Sequence, residues 1–336
     1  MSKVVIVKGN NRKNNIKKAL KFIEKDINHS IKKKGSDTLF IKINTMDIRI
    51  PSTCTNPLAI EAVIEYFYDY FEQIIVGDNS YAFSEYIDNN PYSYLAKKFK
   101  KVRLSDLTEF DSKKITFEYI DKHLQILEVR LSLLPKKAFS ISLSLPKSHD
   151  TCIFSGCSKN MVGCLIKNRW VIHGFGPFGR IFLKNTIKSF KANWRNLVRL
   201  IKEIRPDLSI MDAFTGIEGD GPLFGYPIKL GLAMCSLDSL ALDMVASRIC
   251  GFDNVPYLSM CNGTKNIEII KEGFKDLKKI GKDFKPHYLF KYQVINPKPK
   301  CIFPIDFKWI LRTLIKRYYR IPLKYIKCLT EYYIKK

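Results

Sequence analysis

Two hydrophobic periods alternate along the first hundred residues. Val4–Val7 is a short β-branched run that reads as a buried strand. From Asn14 to Ile31 the apolar residues fall at helical spacing, with Ile16, Ala19, Leu20, Ile23 and Ile27 on one face. Thr38–Ile43 predicts the next strand. Pro57 suits the first turn of a helix, where its missing N–H is not needed, and Ala59–Phe71 continues that helix. Gln73–Val76, ending at Gly77-Asp78, predicts a third strand. Ser80–Lys100 reads mostly as helix with a break at Pro91, and Lys101–Leu104 as a fourth strand. A βαβαβαβ order predicts an α/β fold, an open and mostly parallel sheet with helices on both faces.

The middle of the chain is less regular. Ile126–Leu133 and Phe139–Leu145 predict strands. Thr151–Gly179 is rich in Gly, Ser, Asn and Cys and reads as a loop system. Thr186–Ile204 predicts a helix ended by Arg205-Pro206, and Leu208–Met211 a strand leading into Asp212. Gly216–Pro222 is a glycine-rich turn. Leu230–Cys235 predicts a strand, and Leu237–Ile249 a helix that stops before Gly251. After Pro304, Phe307, Ile310, Leu311, Leu314, Ile315 and Tyr318 form an apolar stripe, while Lys308, Arg312, Lys316 and Arg320 form a basic one. The expected organisation is one α/β domain over 1–303, with two sub-lobes meeting near 135–150 as a variant, and a basic amphipathic helical tail over 304–336. That tail suits packing on its own domain or peripheral contact with an acidic membrane surface or protein.

The 336 residues are 46% apolar and 26% charged, which excludes wholesale disorder. Charge is the outlying feature: 57 Lys+Arg against 32 Asp+Glu leaves +25. Such a balance attracts anions, although lysine-rich composition alone also produces it. Zinc-finger spacing, basic-zipper heptads and aromatic RNA-binding signatures are all missing, so no nucleic-acid module is expected. The nine cysteines are odd in number and contain no C-x2-C pair, which favours a reducing cytoplasm over a disulfide framework. Cys152, Cys157 and Cys164 are spaced C-x4-C-x6-C, unlike a zinc ribbon or a ferredoxin run. The four apolar residues at the start are too few for a signal-peptide core, and Asp238 and Asp243 interrupt the longest apolar region, Leu230–Ala246. A soluble cytoplasmic protein is the expectation.

Candidate chemistry gathers at predicted strand ends, where open α/β sheets bind ligands. Lys42 and Asn44 end the second strand. Thr55 and Asn56 precede the helix at Pro57, as anion ligands or as simple caps. Asp78 and Asp212 each follow a strand, where an aspartate serves as metal ligand, base or cap. Lys159 and Asn160 lie in the loop system, the lysine suited to neutralise a carboxylate or phosphate. His149 can act as acid, base or ligand, or sit at the surface. Glu218 lies among glycines that allow close approach of a ligand. Asp238 suits a helix N-terminus, and Asp243, inside an apolar helix, needs a partner if buried.

Seven ordered motifs resemble domain-of-unknown-function family 362: K-I-N at Lys42–Asn44, T-N-P at Thr55–Pro57, V-G-D at Val76–Asp78, L-P-K-S-H at Leu145–His149, S-K-N-M-V-G at Ser158–Gly163, D-A-F-T-G-I-E-G-D-G-P at Asp212–Pro222 and D-S-L-A-L-D at Asp238–Asp243. The likeness covers about residues 1–275. Many members carry a ferredoxin-like segment and are described as iron–sulfur proteins; here the C-x2-C-x2-C run is missing, so cysteine spacing does not support a cluster. The leading expectation is an enzyme acting on a small anionic molecule. Lys42, Asn44, Thr55, Asn56 and Asn160 would bind substrate, and His149, Lys159 and Glu218 would be catalytic. Asp78 and Asp212 would hold a divalent metal or orient the site. Two alternatives stay open: a metal or iron–sulfur redox protein using Cys152, Cys157 and Cys164, and a binding module that uses its basic tail on anionic surfaces.

Overall fold

A computed structural model of the chain describes residues 1–48, 50–79, 91–120, 124–174, 186–261, 266–277, 280, 284–287 and 290. The tail at 304–336 and residues 80–90 of the helix expected over Ser80–Lys100 lie outside the described residues. The described residues include fifteen strands: β1 Ser2–Lys8, β2 Thr38–Lys42, β3 Gln73–Asp78, β4 Val102–Asp106, β5 Ser112–Ile120, β6 Leu124–Ser132, β7 Phe139–Ser144, β8 Lys147–His149, β9 Ile153–Ser155, β10 Leu165–Lys167, β11 Leu208–Met211, β12 Thr215–Glu218, β13 Tyr226–Lys229, β14 Leu232–Ser236 and β15 Ile267–Glu272.

Eight of them form one sheet in the order β15-β1-β14-β11-β7-β2-β3-β4. Within it β14 alone runs antiparallel to its neighbours. The fold is therefore the α/β architecture that the strand–helix alternation predicts. Both faces of the sheet are covered, which accounts for near-continuous apolar strands such as Val4–Val7 and Leu39–Ile41. One face packs Val5, Leu39, Ile41 and Val76 against the helices α1 (Arg12–Phe22), α2 (Glu24–Lys34) and α3 (Pro57–Phe67). The other packs Val4, Ile6, Phe40 and Met234 against the helices Thr186–Glu203 and Ser239–Ile249. Two smaller sheets, β10-β6-β5 and β13-β12-β8-β9, are built from the segments between the main strands.

The winding creates a switch point. From β2 the chain passes through α3 on the first face to β3, stepping toward the β4 edge. From β7 it returns through Thr186–Glu203 on the opposite face to β11, stepping the other way. Strands β2 and β7 are hydrogen-bonded neighbours, so their carboxyl ends border the crevice where doubly wound sheets hold ligands.

Some elements depart from the sequence pattern. The helix expected over Asn14–Ile31 is two helices that break at Ile23, yet Ile16, Leu20, Ile23 and Ile27 all stay buried on the sheet. Strand β5 was not anticipated; it pairs with β6 across nine register positions and buries Ile115 and Phe117 at alternate positions. The glycine-rich segment after Asp212 starts as strand β12 before it turns. Pro57 does open α3, with the Asn56 side chain accepting the Leu58 N–H. No helix among the described residues is long and apolar enough to cross a membrane.

Asp238 caps the helix Ser239–Ile249 by accepting from the N–H groups of Leu240 and Ala241. We expect Asp238→Ala to lower stability by about 1 kcal/mol. Urea unfolding checks this, with a lower midpoint and an unchanged slope as the expected outcome.

Candidate functional site

The switch point is built around a buried ion pair. Lys42, at the end of β2, and Asp78, at the end of β3, are 1% and 5% exposed. Their side chains meet at 2.7 Å. Each partner is otherwise satisfied. Lys42 Nζ also donates to the Ile43 carbonyl at 2.6 Å and makes a long contact of 3.5 Å with Asn160 Oδ1. Asp78 Oδ1 accepts from the Asn79 N–H, and Oδ2 accepts from both the N–H and the hydroxyl of Thr45. Burial raises the Asp78 carboxyl, but the Lys42 charge and the Lys42 and Thr45 hydrogen bonds outweigh it and hold the group below the ordinary aspartate value. Four donors occupy the two oxygens, so the carboxylate is fully engaged.

A short helix, Cys157–Asn160, lies over the carboxyl ends of β2 and β7. Its first two N–H groups, from Cys157 and Ser158, donate to the two oxygens of Asp243 at 2.7 and 2.8 Å. This is the partner that Asp243 needs inside its helix. Burial pushes Asp243 up to about 7, against the pull of those two N–H bonds. Gly156 lets the carboxylate come this close, because a Cβ there would stand 2.3 Å from Asp243 Oδ1. At the far end of the helix, Asn160 Nδ2 donates to the Lys42 carbonyl and to Ser142 Oγ. Gly163 then passes directly over the ion pair: a Cβ there would lie 2.1 Å from Asp78 Oδ1 and 2.4 Å from Lys42 Nζ.

A second buried lysine, Lys147, follows β7 and is 2% exposed. Its Nζ donates to Asn44 Oδ1 at 2.8 Å and to the Thr53 carbonyl at 2.9 Å. Burial lowers Lys147 to about 7; the nearby Cys54 and Asp78 oppose that shift, and the Lys159 and Lys42 charges add to it. Asn44 is held in turn by Thr55, whose hydroxyl accepts the Asn44 N–H and donates to the Leu143 carbonyl. Lys159, on the short helix, is partly exposed.

The structure thus brings Lys42, Asn44, Thr55, Asp78, Lys159 and Asn160 to one crevice. Thr55 ties β2 to β7, and Asn56 caps α3. The other expected residues have separate surroundings. His149 is buried, with Nδ1 2.9 Å from Asp150 Oδ1 and its ring stacked on His173 at 6.1 Å. Asp212 lies at the end of β11, where Oδ1 accepts from Arg12 Nε at 3.0 Å and the Arg12 guanidinium covers the Phe214 ring. Burial raises the Asp212 carboxyl, and Arg12 works against that rise. Glu218 accepts the Lys285 N–H. Burial pushes the Cys152 and Cys164 thiols up to about 12 and raises Cys157 well above its ordinary value. Among the described residues no group of three or more His, Cys, Asp and Glu assembles that could hold a metal ion.

Sequence reasoning missed Lys147, Thr45 and Arg12. Lys147 stands inside the Leu145–His149 motif, two residues before the histidine that drew attention. Its one signal was its place just beyond a predicted strand.

The model of the family described as Domain of unknown function (DUF362) matches residues 39–248, well over half of the chain. The matched span contains every lysine and carboxylate of the crevice. A relative, the thylakoid-associated protein sll1697 of Synechocystis sp., is 33% identical over 116 residues, which is 34% of this chain and 32% of that protein. The chain therefore spans about a third of the length of the curated relative it matches.

Removing one member of a buried ion pair strands the other charge. Lys42→Met or Asp78→Leu alone should cost roughly 3–5 kcal/mol, and the double variant less than the sum. A double-mutant cycle in denaturant unfolding measures the difference; strict additivity would contradict the pairing.

Proposed function

The chain belongs to the DUF362 family, and we propose that it is an enzyme acting on a small anionic molecule held at the switch point between β2 and β7. The observation that carries this is the charge balance of the crevice. Lys42, Lys147 and Lys159 converge there closely enough for the charges of Lys42 and Lys159 to act on Lys147, and Asp78 compensates Lys42. Of the two buried lysines, Lys42 is met by a carboxylate and Lys147 by neutral oxygens, and an ammonium held by neutral oxygens attracts an anion.

The residues divide by role. Asp78 fixes the Lys42 ammonium, Asn160 ties the short helix to the end of β2, and Asp243 holds the start of that helix. These are positioning residues. Lys159 has water access and supplies the charge that meets the ligand. Lys147 forms the floor, bound to neutral oxygens of Asn44 and Thr53. The ligand class that suits such a site is a carboxylate or phosphate of a few atoms, because one partly exposed lysine and one buried lysine match a compact charge.

Oxalate and inorganic phosphate serve as probes. Lys159→Ala should weaken oxalate binding about tenfold while keeping a cooperative thermal transition, since a partly exposed lysine contributes at most about 1 kcal/mol to folding. A bound anion favours protonated Lys147 and raises its pKa above about 7. The complex then holds more protons than the free protein between those two values. Affinity should accordingly fall as pH rises from 7 toward 9, with proton uptake on binding. Titration calorimetry in buffers of different ionisation enthalpy reads both effects; equal affinity for wild type and Lys159→Ala would overturn the assignment.

A further inference from the structure

A second group of charges stands around Arg12, at the same edge of the sheet as the crevice. The carboxyl ends of β1 and β11 both open there, because each strand runs antiparallel to β14 between them. The turn after β1 is pinned in place. Asn15 Nδ2 donates to the Gly9 and Gly231 carbonyls, and the N–H groups of Leu230 and Gly231 donate to the Phe214 carbonyl. Arg12 follows that turn, and its guanidinium is held on three sides. Nε donates to Asp212 Oδ1 at 3.0 Å, Nη2 donates to Thr215 Oγ1 at 3.3 Å, and Cζ lies 4.8 Å from the centre of the Phe214 ring. Nε and Nη2 share the side edge of the guanidinium, so both protein acceptors lie along that edge. The end edge, where Nη1 and Nη2 each present one N–H in parallel, has no acceptor among the described residues. The side chain is 16% exposed and Nη1 keeps contact with solvent, so a ligand can reach this edge by displacing water alone.

Lys229 stands beside it. Strands β12 and β13 pair Thr215 directly with Lys229, so these two side chains rise from one face of the ribbon. Lys229 Nζ is 5.8 Å from the centre of the same Phe214 ring. Lys229 is exposed and has no carboxylate partner among the described residues. Two cations therefore gather at one ring with one carboxylate, Asp212, which Arg12 already engages.

We propose that Arg12 and Lys229 form a phosphoryl-binding site separate from the crevice between β2 and β7. The end edge of Arg12 meets two phosphoryl oxygens as a fork, and Lys229 meets a third as a point charge. A carboxylate offers two oxygens and would leave Lys229 without one, so the ligand class is a phosphate or phosphate ester. Asp212 and Thr215 are positioning residues. They hold the guanidinium in its binding orientation before the ligand arrives, which lowers the ordering cost of binding.

The test titrates the full-length protein with inorganic phosphate and with acetate in a calorimeter. Wild type should bind phosphate at two sites. Lys229→Ala removes an exposed side chain, and Arg12→Lys keeps a charge for Asp212 but loses the fork. Each should weaken one site about tenfold, with thermal unfolding confirming a folded protein, while Lys159→Ala leaves that site unchanged. Acetate should bind this site roughly tenfold or more weakly than phosphate. Phosphate binding that neither Lys229→Ala nor Arg12→Lys alters would overturn the proposal. Phosphate binding lost with Lys159→Ala alone would overturn it too and leave the crevice standing. Phosphate binding that depends on Arg12 and Lys229 but not on Lys159 would uphold this site and count against the crevice.

Discussion

An ammonium and a carboxylate buried together at the ends of adjacent parallel strands set the constraints at the functional end of this molecule. Neither Lys42 nor Asp78 is tolerable in the interior alone, so each fixes the other, and their remaining hydrogen-bonding groups fix what surrounds them. Thr45 closes over Asp78, and Gly163 crosses the pair where a side chain has no room. Asn160 fastens the short helix to the same strand, while Asp243 holds the helix start from a segment 86 positions away. The position of Lys159 follows from that chain of contacts. The crevice is therefore an assembly in which charge satisfaction, rather than apolar packing, determines where the lysines stand.

The same crevice explains why the sheet is wound as it is. Strands β2 and β7 send their chains to opposite faces, and the short helix Cys157–Asn160 closes over their carboxyl ends. Polar residues following those strands are left to line the gap. The polar residues inside β7, Ser140 and Ser142, are small hydroxyls that find partners in Asp207, the Cys157 carbonyl and Asn160. The single antiparallel strand, β14, lies away from the switch point, between β1 and β11.

Much of the sheet was legible in the sequence, because doubly covered strands are largely apolar and many stand out as short β-branched runs. The polar strand ends at Lys42, Asn44 and Asp78 were legible for the same reason: they mark where burial between layers stops. What stayed hidden depends on distant partners. Lys147 finds Asn44 at a separation of 103 residues, and nothing local distinguishes it from other lysines in a chain rich in them. Asp243 announced a need for a partner but not that Cys157 and Ser158 would supply it. Asn56 and Thr55 look alike as residues before a helix, yet one caps it and the other ties two strands together. The break at Ile23 in the helix expected over Asn14–Ile31 was not legible, because no breaker residue marks it and the apolar face runs on across it.

The DUF362 match spans all of these contacts, and the central claim is that they serve to hold a small anion between β2 and β7. The most direct measurement is anomalous diffraction from a crystal soaked in tungstate, whose position needs no assumption about the natural ligand. The account predicts a peak at the carboxyl ends of β2 and β7, within contact distance of Lys159 and above Lys147. Peaks confined to other places, such as the Arg12 side of the sheet or the outer surface, with none in this crevice, would contradict it.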